Sequence, residues 1–246
     1  MSEHEAPDAL AVQKSDYVTS AAKAVLGVVP FAGSLLAEVA GTVIPNQRMD
    51  RIVRFAGVLE QRLSSLEQDF VRAQLNNEHF TDLLEEGLRQ AARSLSDERR
   101  EYIANLITNS LSSEDIEFIE SKHLLRVLGE INDLEVIWLK FHYNSEYLSI
   151  NDHDPLWDQH EAVLQPVMAA IGDPQNAHDK ETLQVSYQDH LVQLSLLQHQ
   201  YRIDRTTGLP EVDSFKRNFE VTGYRITLLG SLLVRQMGLG DREFTE

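Results

Sequence analysis

The chain has 246 residues, 42% of them hydrophobic, with no cysteine and a formal charge of −17. Such a length and apolar share can bury a core in one large domain or two small ones. The lack of cysteine excludes disulfides, thiolate metal sites and cysteine nucleophiles and fits a reducing compartment, and the negative field disfavours nucleic acid and anionic lipid outside local basic patches.

In chain order, residues 1–8 are polar and acidic and are expected to form a disordered tail. Their acidic start (Glu3, Glu5, Asp8) does not match a secretory signal, so a cytoplasmic location is expected. A helical domain is expected over 9–145. It opens with a polar helix that leads into an apolar hairpin at 25–44, where Gly27 and Pro30 interrupt the helix and Pro45 ends it. Gly33, Ala37 and Gly41 recur every fourth residue and form a smooth ridge for close backbone approach. The uncharged run is shorter than the roughly 20 residues of a membrane span. Burial inside the fold, a subunit interface, and insertion into membrane or a partner on release are the three readings of this ridge.

Arg48, Arg51 and Arg54 follow at three-residue steps on one helical face. They could meet a phosphate, a lipid headgroup or an acidic partner, or form a solvated, salt-bridged face. Together with Gly27, Gly33, Ala37 and Gly41 they make the candidate interaction surface. A long helix is expected over 48–75, with Ile52, Phe55, Leu59, Leu63, Leu66 and Phe70 on a heptad-like seam suited to a partner helix or a second copy.

Helix starts are marked by Ser96 before Asp97-Glu98, by Ser112 to Asp115, and by Asn132 to Glu135. The apolar faces that follow are Ile103, Leu106, Ile107 and Leu111; Leu124, Leu125, Leu128 and Ile131; and Leu134, Ile137, Trp138 and Phe141. Polar residues after Tyr143 suggest a boundary, and a second domain is expected over 152–240. Its first helix runs from Leu156 to Ile171 with a kink at Pro166, and its second carries Leu183, Tyr187, Leu191, Leu194 and Tyr201 on one face. A β-hairpin turning at Thr206 to Pro210, then a helix capped by Thr227 and closed by Gly238 and Gly240, complete a winged-helix-like outline. Arg202, Arg205, Lys216, Arg217 and Arg225 are its candidate nucleic-acid contacts, nearly cancelled by Asp204, Glu211, Asp213 and Glu220. The fold class expected is therefore mainly α, a multi-helix bundle with a small C-terminal winged-helix-like β-hairpin.

No nucleophile elbow, phosphate loop or dinucleotide fingerprint is present, so no catalytic residues and no cofactor are assigned. Asp152, His153, Asp154, Asp158 and His160 offer metal-ligating groups without the spacing that fixes a geometry, and no metal site is assigned either. The run Arg93 to Ile107, Leu124 to Leu139 and the closing Tyr224-Arg225-Ile226-Thr227-Leu228-Leu229-Gly230 resemble the bacterial abortive-infection alpha (Abi-alpha) family. Val29 to Gly33 and Ile44 to Arg48, with Asp50-Arg51, resemble a further segment of such proteins. The resemblance implies a non-enzymatic helical protein of antiphage defence acting through protein or membrane contacts, with a protein partner or self-association. A DNA-binding regulator using the C-terminal module is the alternative.

Overall fold

The structure is a computed structural model that describes residues 46–74, 76–112, 116–147, 153–212 and 219–240. The apolar hairpin at 25–44, with Gly27, Gly33, Ala37 and Gly41, and the tail at 1–8 lie outside the described residues. Among the described residues the fold is mainly helical and carries one two-stranded antiparallel sheet near the C-terminus, as the hydrophobic periodicity implies. It divides into two compact units between Arg126 and Val127. The boundary expected between 145 and 152 falls within the range of the second unit. Polar composition alone marked the expected boundary, whereas packing divides the chain inside a helix.

In unit 1, α1 (Asn46–Leu63) buries Ile52, Phe55, Ala56, Leu59 and Leu63 along one stripe. The continuous helix expected over 48–75 is broken: the chain turns at 64–67 and restarts as α2 (Gln68–Gln74). The physical reason lies in two serines. Ser64 Oγ donates to the Gln61 carbonyl at 2.7 Å and Ser65 Oγ to the Arg62 carbonyl at 2.7 Å, which competes with continuation of the helical ladder. Phe70 consequently leaves the seam and is exposed.

Helix α3 (Glu78–Arg93) is capped by Asn77, whose side chain accepts from His79 N at 2.9 Å. It buries Phe80, Leu83, Leu84, Leu88 and Ala91, and packs with α1 and α4 (Asp97–Ser112). Ser96 caps α4 as expected, accepting from Arg99 N at 3.3 Å. Buried Arg100 is satisfied by Asp97 and by the Ser94 carbonyl at 3.0 Å. Helix α5 (Phe118–Glu130) joins α3 through a Phe80–Phe118 ring contact at 5.3 Å, a Lys122–Asp82 ion pair and a bond from Gln90 Nε2 to the Leu125 carbonyl at 2.8 Å.

Gly57 lies inside α1 with nothing within 4 Å of the position a Cβ would take. Gly57→Ala is expected to stabilise unit 1 by roughly 0.5–1 kcal/mol, because alanine restricts the unfolded chain and meets no neighbour. The midpoint of urea unfolding followed by circular dichroism reads this directly.

Unit 2 begins at Val127 within α5 and continues with α6 (Asp133–Tyr147), whose start is a reciprocal capping box. Asn132 Oδ1 accepts from Leu134 N and Glu135 N at 2.9 and 3.0 Å, and Glu135 Oε2 accepts from Asn132 N at 2.7 Å. Asp154 caps α7 (Pro155–Leu164), with proline in the first turn. Pro166 ends this helix instead of kinking it, because the residue before a proline is driven out of the α region: Gln165 sits at φ −58°, ψ 120°.

Helix α8 (Gln175–Gln193) ends in a left-handed turn at Ser195 (φ 60°), closed by Leu196 N to the Leu191 carbonyl at 2.9 Å. Tyr201, expected on this helix face, instead lies in β1 (Leu197–Tyr201). That strand pairs antiparallel with β2 (Val221–Ile226), and it begins at Leu197, ahead of Arg202 to Asp204. The connection adds bridges Ile203↔Pro210 and Val212↔Phe219. Thr227 caps α9 (Leu228–Gln236) by accepting from Gly230 N at 3.0 Å, and Gly238 (φ 75°) closes it.

Candidate interaction surface

Helix α6 carries apolar residues on two sides. Val136, Leu139 and Tyr143 face the core and are buried. Leu134 is 38% exposed, and the face expected from 134, 137, 138 and 141 is only partly covered. On α8 the expected face behaves alike: Leu191 is buried, Tyr187 half-buried and Leu183 52% exposed. These two leftover faces meet in an open groove of about 630 Å³, lined by Leu134 and Trp138 from α6, Leu183 and Tyr187 from α8, and Pro166, Val167 and Met168 from the segment after α7. Met168 is 88% exposed and Ile171 is fully exposed.

One side chain holds the wall formed by that segment. Gln184 Nε2 donates to the carbonyls of Val163 at 3.0 Å and Gln165 at 2.9 Å, while its Oε1 accepts from Val167 N at 3.0 Å. Glu181 adds a bond from Ala169 N at 3.3 Å. The amide satisfies donors and acceptors that the proline-terminated helix end leaves open. Nothing in the helical periodicity singled Gln184 out; its role depends on a segment that returns from earlier in the chain.

Trp138 is only 4% exposed, and its Nε1 has no hydrogen-bond partner among the described residues. Its ring stacks on His142 at 6.0 Å and 26°. His142 packs against Trp138, and its burial pushes the imidazole down from 6.5 to about 4, a bond to Gln188 acting the other way. Nearby, buried Glu135 accepts from His190 Nδ1 at 2.7 Å. Asp189 Oδ1 takes the Tyr224 hydroxyl at 3.0 Å and meets His199 Nε2 at 3.3 Å. Burial, then the Asp189 carboxylate, pushes the Tyr224 phenol up. These polar groups bond to one another and bind α8 to α6 and to the ribbon.

The arginines expected to work together are engaged separately. Arg51 donates to the Ala92 carbonyl at 3.4 Å and Arg54 stands 4.0 Å from Asp97, while Arg48 is exposed. Arg202 pairs with Glu220 at 2.9 Å, and Arg225 pairs with Glu146 through two bonds, one of them 2.9 Å. Arg205 is exposed; Lys216 and Arg217 lie outside the described residues. Two of the three described members of this set therefore stand beside carboxylates.

Of the metal-ligating set, His153 and Asp158 meet at 2.8 Å on the surface, and Asp154 is occupied as the α7 cap and by Asn144. Asp152 lies outside the described residues. Among the described residues no group of three His, Asp or Glu stands close enough to hold a metal ion, and no helix is long and apolar enough to cross a membrane. No protein-family model, curated protein or solved structure matches this chain.

Proposed function

We propose that this chain is a non-enzymatic interaction protein that receives an amphipathic helix of another protein in the groove between α6 and α8. The observation that carries this reading is the groove itself: an aromatic floor at Trp138, with apolar side chains of Leu134, Met168 and Leu183 left in water. Grooves of this kind take helices through anchors at i, i+3/i+4 and i+7.

Charge selects the occupant. Asp133, Glu161, Asp179 and Glu181 adjoin the lining residues, against a single lysine, Lys180, in a chain of charge −17. A helix with basic flanks is steered toward this face, while a second copy of the acidic chain is repelled from it. The setting proposed is bacterial antiphage defence by abortive infection, which rests on the segments resembling the Abi-alpha family.

The test uses two synthetic amphipathic helices of the same apolar face, one with lysine and arginine flanks and one with glutamate flanks. Tryptophan fluorescence is expected to change with the basic peptide, and Leu183→Asp to weaken that binding by about tenfold or more. Equal binding of both peptides, or binding indifferent to Leu183→Asp, would remove the groove from the function. In a phage-challenged bacterium the same variant is expected to lose plaque protection while keeping its fold.

A further inference from the structure

The ribbon β1–β2 offers a second surface, independent of the groove. Its base is buried at Leu197 and Ile226, but both faces are open from Gln200 to Ile203 and at Val221 and Thr222. Six large apolar side chains are exposed there: Tyr201, Ile203, Leu209, Val212, Phe219 and Val221. Leu209 is 65% and Phe219 53% exposed, and the Tyr201 and Phe219 rings contact each other at 5.6 Å, so the patch is continuous at its centre.

A two-stranded ribbon is marginal in water, and among the described residues no third strand pairs with its outer edges. At roughly 150–250 Å² for a large side chain, six that are about half exposed leave on the order of 500 Å² of surface open in each copy. Two copies together would remove on the order of 1,000 Å², the lower bound for a specific interface.

Charge again chooses the occupant. The described residues of this stretch, 197–212 and 219–226, carry three basic and three acidic residues, a net charge of zero in a chain of −17. The remainder of the molecule is acidic enough to repel its own kind, whereas this stretch is not. We propose that the ribbon is the isologous interface through which two copies of this chain pair, their edges joining and their apolar side chains covering one another. The symmetric arrangement places the same patch on both sides of the interface, as closed dimers require.

Light scattering of the full chain across roughly 1 to 100 µM is expected to give a dimeric mass, and Phe219→Asp and Ile203→Asp to raise the dissociation constant by tenfold or more. Circular dichroism establishes that the variants are folded. A second measurement covers the case in which they are not: the cysteine-free chain accepts a single cysteine cleanly. Under oxidation Thr222→Cys, on the ribbon, is expected to cross-link in high yield, and Ser145→Cys, on exposed α6 surface, is not. A wild-type monomer throughout this range, a dimer that survives both aspartate substitutions in folded protein, or equal cross-linking at the two cysteines would each overturn the proposal.

Discussion

Gly230→Ala is expected to cost unit 2 about 3 kcal/mol, the upper end of what overpacking a well-filled site costs. A Cβ at Gly230 would stand 2.8 Å from Ile226 Cγ1 and 3.1 Å from the Leu196 carbonyl carbon, with the Leu196 oxygen nearer still. Two of these atoms are backbone and have little freedom to move. They belong to the junction that fixes the ribbon to the final helix: Thr227 N donates to the Leu196 carbonyl at 3.0 Å, and Thr227 Oγ1 donates to the Ser195 carbonyl at 2.7 Å while capping Gly230 N.

The added methyl therefore pushes α9 away from β1 and stretches the bonds that anchor both. Urea unfolding followed by tryptophan fluorescence tests this, since the two tryptophans, Trp138 and Trp157, both lie in unit 2. Gly87→Ala makes a useful comparison, because the nearest atom to its Cβ is Ile107 Cδ1, the free end of a flexible side chain. Its effect in unit 1 is expected to be smaller. A Gly230→Ala midpoint equal to wild type would mean that the α9 junction tolerates displacement.

The contrast between those glycines shows what a sequence can and cannot disclose. Gly230 was visible only as part of a resembling segment; its contact depends on the chain meeting Leu196, thirty-four positions earlier. Local chemistry was readable: the caps at Ser96, Asn132 and Thr227 all depend on bonds to the next few residues, and each begins the helix its pattern implied. The left-handed turn at Ser195 had no such mark, since glycine usually announces that conformation and serine does not. The helical spacing of Leu191 and Leu194 then carried on to Tyr201, which lies in a strand.

Apolar periodicity identified the faces of α6 and α8 but could not say which parts would be covered. Leu191 finds a core; Leu183, two turns earlier on the same helix, finds the groove. The arginines were similarly ambiguous, because charge neutralisation is a property of partners: Arg225 meets Glu146, 79 residues away in sequence. The glycine-spaced hairpin, the feature most prominent in the sequence, lies outside the described residues.

Unit 2 is expected to lose stability as the pH falls from about 6.5 toward 4, with His142 as the principal cause. In the folded chain its imidazole is held neutral until about pH 4, chiefly by burial. Trp138 stacks on the ring, Phe141 and Tyr224 lie 5.4 and 6.2 Å from it, Gln188 bonds to it, and its Nε2 has no partner among the described residues. A proton added there would carry a charge into an aromatic enclosure where, among the described residues, no carboxylate bonds to the ring. The unfolded chain binds that proton at an ordinary value of 6.5, so between the two values the unfolded state holds more protons than the folded one, and acid favours unfolding. The stabilisation is complete above about 6.5 and lost as the pH reaches 4.

At 1.36 kcal/mol per unit the interval sets a ceiling of about 3 kcal/mol, reduced by whatever water reaches the ring. Asp97, Glu146 and Asp204 also have carboxyls held below their ordinary values, by Arg100, Arg225 and the backbone at Thr206 respectively. Those groups lose their contribution only as pH falls through the carboxylate range, beneath most of the His142 window, so the two effects separate by pH. His142→Phe keeps an aromatic ring against Trp138 and removes the titration. The unfolding midpoint of this variant is expected to be flat between pH 6.5 and 4.5, where the wild type falls. A wild-type midpoint that is itself flat there would place His142 in contact with water, and a slope retained by the variant would assign the effect to another group.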